Sequence, residues 1–180
     1  DPSITKGVKM FQGLLTFAVA IPSFITAFTI AASLEYAGRR RGSRGLLGFF
    51  KRLPYLDGER YLFAYFICGL FLFIFGGLTG IVNASGQLNA VIHNTAWMPE
   101  HFHMTVAGPV SLAIIEMSVS LYETNSGKKI FLPQLNVIIP YLWVIGILLF
   151  SFGLSWGGLK GEPRRTNLGL TYLNPGHELY

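Results

Sequence analysis

Four long apolar runs, at about 10–36, 61–82, 99–122 and 135–156, constrain this chain more than any other feature. Each reaches the roughly 20 helical residues that cross a bilayer core. Inside hydrocarbon every backbone N–H and C=O must find its partner within the protein, which leaves helices as the economical solution for runs of this kind. Length alone would suggest one soluble domain. A chain that is 51% hydrophobic and only 13% charged argues instead for an all-α, polytopic transmembrane helix bundle of four spans. Cys68 lies inside the second run and is the only cysteine, so an intrachain disulfide is excluded. The chain opens DPSITK, without a basic n-region or initiating Met, and reads as a piece that begins inside something longer.

Charge placement sets the expected orientation. The connection 38–60, GRRRGSRGLLGFFKRLPYLDGER, carries seven Lys or Arg against Asp57 and Glu59, and is expected on the cytoplasmic side. With Lys128 and Lys129 the inner connections hold nine basic residues, against five outside: Lys6, Lys9, Lys160, Arg164 and Arg165. Flanking spans explain the basic run, so no nucleic-acid partner is inferred, and the stretch around Leu46 to Leu53 is expected to lie on the membrane lipid surface. The segments 83–98 and 157–180 then face outward.

Within the spans a few residues stand out. Pro22 predicts a kink in the first. Ser23, Thr26 and Thr29 follow at three-residue steps, a pattern that suits helix packing and equally suits a proton path of hydroxyls and waters. Gly76, Gly77 and Gly80 permit close approach of another helix or of a flat cofactor. Glu116 lies some 15 positions past His101, about 22 Å along a helix. A carboxyl at that depth is costly unless paired or protonated; it is either functional or reaches an interface or an arginine.

The densest chemistry is at His93–His103, HNTAWMPEHFH. Pro99 suits a first helical turn. On a helix His101 and His103 are separated by roughly 200°, so one ion cannot sit between their rings. As ligands they would serve two centres on opposite flanks of one helix; otherwise they are wetted side chains near a membrane surface. Neutral imidazole is a common ligand of haem iron, which makes one helix between two haems the sharper expectation. Arg164 and Arg165, on the side where cations are disfavoured, call for an anion: haem propionates near His93 and His101, or lipid phosphate.

HNTAWMPEHFH followed by an apolar helix and then PRR resembles subunit I of the haem-copper oxidase superfamily. HNTAW, VNAS and SFITAFTIAASLEYAGRRRG look most like its B-type cytochrome c oxidase branch, and the similarity runs through the chain in the order of that subunit's helices VIII to XI. The resemblance implies that His101 is the axial ligand of a high-spin haem, where oxygen is reduced, and that His103 binds a low-spin haem. Phe102 would lie near the electron path, and His93, Arg164 and Arg165 would hold propionates, with Asn94 in the same cofactor-binding set. Ser23, Thr26 and Thr29 match the stretch that carries the proton-input path of B-type members.

Two departures accompany the match. Asn94 stands where many A-type relatives have a magnesium-binding Asp, so no magnesium site is expected. Glu100 stands where a small residue is expected. Family members carry the second low-spin haem ligand, three histidine ligands of an active-site copper and a crosslinked tyrosine on earlier helices, none of which is in this chain. The implied protein is the catalytic subunit of a terminal respiratory oxidase in a bacterial or archaeal cell membrane, of which this chain would be about one third. Its partners would be the remainder of subunit I, subunit II with its copper centre, and cytochrome c or a similar donor. A nitric oxide reductase of the same superfamily, and a non-catalytic transporter or dihaem electron carrier, remain open at this point.

Overall fold

The structure, a computed structural model, describes residues 5–164. Its helices are α1 (Lys6–Arg40), α2 (Leu62–Ala84), α3 (Gly86–Ile92), α4 (Trp97–Ser126) and α5 (Pro133–Leu159), with short 3-10 turns at Gly48–Lys51 and Gly58–Arg60. Among the described residues there is no strand, only an isolated bridge between Thr95 and Pro163. The fold is an all-α bundle in which α1, α2, α4 and α5 are each long and apolar enough to cross a membrane. Large apolar side chains cover its outside, from Phe11 and Phe28 on α1 to Leu149 and Phe152 on α5. Such a surface suits lipid or further protein, not water.

The long helices alternate in direction. Gly13 near the start of α1 meets the carbonyl of Ala84 at the end of α2. Gly80, late in α2, lies against His101 early in α4, and Trp97 at the start of α4 lies against Gly158 at the end of α5. At the crossing of α2 and α4 two glycines admit the close approach. A Cβ at Gly76 would fall 2.6 Å from the Cα of Thr105, and one at Gly108 would fall 2.9 Å from Leu72 Cδ1. Around that crossing Ala64, Tyr65, Cys68, Leu72, Met104, Leu112 and Val137 form the core.

At the basic-loop end polar contacts close the bundle. Tyr61 donates to Glu123 Oε1 at 2.5 Å, and the same oxygen accepts from the Ile130 amide at 2.9 Å, tying the start of α2 to the end of α4 and the turn beyond it. Lys129 pairs with Glu59, whose carboxylate holds the ammonium above the usual lysine range. Gly127, in the left-handed region at φ 64°, ends α4. Tyr141 of α5 donates to the Tyr55 carbonyl at 2.7 Å.

Two local features go beyond the reading of the sequence. The connection expected at 83–98 contains α3, nucleated after an extended Ser85 whose carbonyl accepts from Asn89 at 2.8 Å, and anchored by buried Ile92. Secondly, α4 widens into a π-turn over His103–Ala107, where Gly108 donates to the His103 carbonyl. Pro109 supplies the reason: it has no N–H and its ring would crowd the carbonyl four residues back, and a wider turn relieves that contact. In α1 the helix continues through Pro22.

Gly76→Leu is expected to force α4 off α2 and to cost about 1–3 kcal/mol or more. Gly77→Ala, where an added Cβ meets nothing within 4 Å, should leave stability unchanged or slightly improved. Thermal melting of the full-length protein carrying each change would decide this; equal losses for both would mean that the α2–α4 crossing does not limit stability.

Candidate functional site

The π-turn and the glycine crossing place the two α4 histidines. His101 points toward α2, where its ring lies over Gly80; a Cβ there would be 3.0 Å from His101 Cε1. Its Nδ1 is 2.8 Å from Thr79 Oγ1 and 3.1 Å from Thr105 Oγ1. Both hydroxyls already donate to backbone, Thr79 to the Gly76 carbonyl at 2.9 Å and Thr105 to the His101 carbonyl at 2.6 Å. Each can therefore only accept from the ring, so the proton sits on Nδ1 and Nε2 keeps its lone pair.

His103 reaches the same state differently. Its Nδ1 is 2.7 Å from the carbonyl of Pro99, an acceptor, so Nδ1 again carries the proton. The ring packs edge-on to Phe150 of α5 at 4.9 Å. The two imidazoles thus lie on different sides of α4, one toward α2 and one toward α5. Neither Nε2 has a hydrogen-bond partner among the described residues. This is the disposition of a ligating histidine, oriented through one nitrogen and free at the other.

His101 opens into a cavity of about 620 Å³ between α1, α2 and α4, lined among others by Ser23, Phe24, Phe73, Gly77 and Thr105. The cavity exists because α1 stands apart from the packed core, touching α2 near its start and the 3-10 turn at its end. The glycines divide the two tasks expected of them: Gly76 admits Thr105, Gly80 admits the His101 ring, and Gly77 faces open space on the cavity wall. An adjoining cavity of about 1030 Å³ lies toward the connection between α2 and α4, lined by Lys9, Gln12, Asn83, Asn89 and His93.

The HNTAW segment builds the corner above these cavities. Asn94 takes φ 65°, a left-handed conformation that Asn tolerates better than most residues. Thr95 is buried and donates to the Ile92 carbonyl at 2.7 Å, while Trp97 Nε1 donates to Asn83 Oδ1 at 2.9 Å. The chain after α5 returns to this corner: Ala96 donates to the Glu162 carbonyl at 2.8 Å and Arg164 donates through its amide to the Asn94 carbonyl at 2.9 Å.

The structure therefore gathers His93, Asn94 and Arg164 around one corner, and His101 with Ser23 around one cavity. It sets His103 apart, on the α5 side. Phe102 projects outward and is 55% exposed. Thr26 and Thr29 do not line the cavity; their hydroxyls donate to the Pro22 and Ile25 carbonyls one turn back, as Ser23 does to Val19. Arg165 lies outside the described residues. Glu116 is half-buried and has no hydrogen bond or ion pair among the described residues. Thr79, Thr105 and Phe150, which orient the histidines, were not singled out from sequence; the signal for Thr105 was its place four residues after His101.

Comparison with known proteins adds the family. A model described as cytochrome c and quinol oxidase polypeptide I matches residues 2–178. The chain belongs to this family. Cytochrome c oxidase subunit 1 of Thermus thermophilus is 46% identical over 167 residues, covering 92% of this chain and 29% of the relative. The probable cytochrome c oxidase subunit 1-alpha of Streptomyces coelicolor is 26% identical over 163 residues, covering 90% of this chain and 25% of that protein. Among solved structures, a chain of a heme-copper terminal oxidase dimer determined by cryo-electron microscopy superposes with a TM-score of 0.90 at 45% identity, covering all of this chain and 32% of that one. This oxidase-family chain thus spans less than a third of the length of these relatives. Four spanning-length helices and the respiratory family together make it a multi-pass membrane protein.

Glu100 is the anomaly of the site. It is 1% exposed, and its Oε2 has no partner among the described residues. Replacing a buried, unpartnered carboxyl by an apolar side chain of similar size removes a desolvation cost of about 1–3 kcal/mol. Glu100→Met should accordingly raise the melting temperature of the full-length protein. A fall would mean that a group from the rest of the subunit pairs with this carboxyl.

Proposed function

We propose that the chain is the two-haem segment of the catalytic subunit of a terminal respiratory oxidase. That subunit reduces dioxygen to water with electrons from cytochrome c or a similar donor and takes up protons as it does so. The observation that carries the proposal is the matched state of His101 and His103, each held through Nδ1 and free at Nε2 on separate sides of α4. His101 would hold the haem at which oxygen is reduced, and His103 the low-spin haem that supplies it with electrons. Support comes from the names of the relatives, which favour neither nitric oxide reduction nor transport.

The residues present suit haem on the His101 side. The cavity wall is open where Gly77 lacks a side chain, apolar through Phe24 and Phe73, and its volume falls within the usual range of small-molecule sites. When bound, haem iron, with a copper whose ligands lie outside this chain, supplies the redox chemistry of oxygen reduction. The chain's own contributions are positional. Thr79 and Thr105 fix the tautomer and rotation of His101, and the Pro99 carbonyl does so for His103. His93, Asn94, Arg164 and Arg165 form the propionate end, where guanidinium and imidazole donors meet carboxylates. Phe102 lies beside the electron route. Ser23, Thr26 and Thr29 form the proton-input stripe, each hydroxyl able to turn from its carbonyl toward water.

In the full protein the remainder of subunit I supplies the copper ligands, and subunit II with its own copper centre delivers electrons. The complex lies in a bacterial or archaeal cell membrane, with the loop 38–60 in the cytoplasm and His93 and Arg164 toward the outside.

Reduced and carbon monoxide difference spectra of the complex test the assignment. His101→Ala should lose the carbon monoxide-binding haem and His103→Ala the low-spin haem; full haem content and unchanged spectra in both would overturn it. Thr79→Val should weaken retention of the carbon monoxide-binding haem by roughly 10–100-fold while leaving the low-spin spectrum intact, since it removes an oriented acceptor from one ring only. The iron–histidine stretching band in resonance Raman spectra reads that orientation directly, and an unshifted band would deny Thr79 the role.

A further inference from the structure

The basic connection after α1 carries a feature that oxygen chemistry does not use. Phe49 is buried against α1 where Gly38 leaves room; a Cβ there would fall 2.8 Å from Phe49 Cα. Around this anchor the chain turns its apolar side chains outward. Leu46 is 87% exposed, and Leu47 and Phe50 are also exposed. Leu47 sits at φ 59°, a conformation unusual for a bulky residue, so the presentation is held against a local backbone preference.

Flanking this apolar tip are Arg40, Arg41, Arg44, Lys51 and Arg52, all exposed and none with an ion pair or side-chain hydrogen bond among the described residues. The nearby acids are already committed. Glu35 pairs with Arg39, Asp57 with Arg60 and Glu59 with Lys129. Five cations therefore lack compensation at the end of two spanning-length helices, around side chains that avoid water.

We propose that residues 40–52 form a docking site for anionic phospholipid in the adjacent leaflet, with Leu46, Leu47 and Phe50 entering the acyl region and the five cations gathering headgroup phosphates. The inference rests on the reading that α1 and α2 span a membrane. A polybasic segment with apolar anchors binds such a surface through two additive terms, charge and burial. A neutral lipid satisfies only the second, and a nucleic acid only the first.

The test uses the complete oxidase complex with Leu46→Cys labelled by bimane, in nanodiscs of phosphatidylglycerol and phosphatidylcholine in equal amounts. Bromine is carried on the acyl chains of one lipid or of the other. Quenching by brominated phosphatidylglycerol should exceed that by brominated phosphatidylcholine by roughly threefold, as expected for several cations near headgroups. Changing Arg40, Arg41, Arg44, Lys51 and Arg52 to Gln should bring the ratio to parity while quenching persists. Equal quenching in the unaltered charge background overturns the anionic preference. Absence of quenching by either lipid overturns the docking site itself, since protein or water would then cover the tip. The haem absorption spectrum of the same sample keeps a failure of the oxidase reading separate from both results.

Discussion

The close crossing of α2 and α4 is the contact on which the rest of this structure depends. Gly76 lets Thr105 come against the α2 backbone, and one turn further Gly80 leaves room for the His101 ring. That approach brings Thr79 to within 2.8 Å of His101 Nδ1. A side chain at either glycine would separate the helices and break the hydrogen bonds that set the ring's tautomer. Packing and chemistry are therefore not separable here: the absence of two β-carbons determines which imidazole nitrogen is free. It also allows α1 to stand away and leave a cavity, since the core closes between α2, α4 and α5 without it.

A second constraint acts at the same end of the histidine helix, just before its first turn. The start of α4 is a turn that must reverse the chain and satisfy its own amides in an apolar setting. Asn94 in the left-handed region makes the reversal, Thr95 engages the Ile92 carbonyl, and the segment after α5 supplies carbonyl and amide partners to residues 94–96. The same pairing carries Arg164 to the His93 side. An arginine 71 positions beyond His93 in the chain reaches it because backbone groups at a helix start need partners.

Much of this was legible from the residues alone, for identifiable reasons. Hydropathy over twenty-residue windows reports the spanning helices because hydrocarbon permits few alternatives. The spacing of His101 and His103 reports opposed faces because helix geometry is nearly invariant. Thr79 and Thr105 were not legible: threonine is ordinary in a membrane helix, and its role depends on which turn of α2 faces which turn of α4, a register that no single run of sequence encodes. The α3 helix escaped for a related cause, since seven residues between turn-forming Asn and Ser carry too little periodicity to distinguish helix from loop. The π-turn had one local sign, Pro109, but a proline at that place predicts a distortion and not its form.

The form of that distortion matters to the site. Glu100, Met104, Gly108 and Leu112 are all buried and recur every four residues along α4. In a regular helix four residues overshoot a turn by roughly 40°, so such a stripe winds away from a neighbouring helix within three steps. A π-turn takes more residues per turn and winds it back. Placed at His103–Ala107, it takes in the second member of the stripe, ends just before the third, and keeps all four on the packed side. His101 lies before the correction and His103 is its first residue, so the step from one ring to the other is still made mostly in ordinary helix, whereas the residues that follow are realigned to α2 and α5. The helix can thus hold two rings apart at one end and a continuous packing face along its length, and Pro109 is the residue that makes the two compatible.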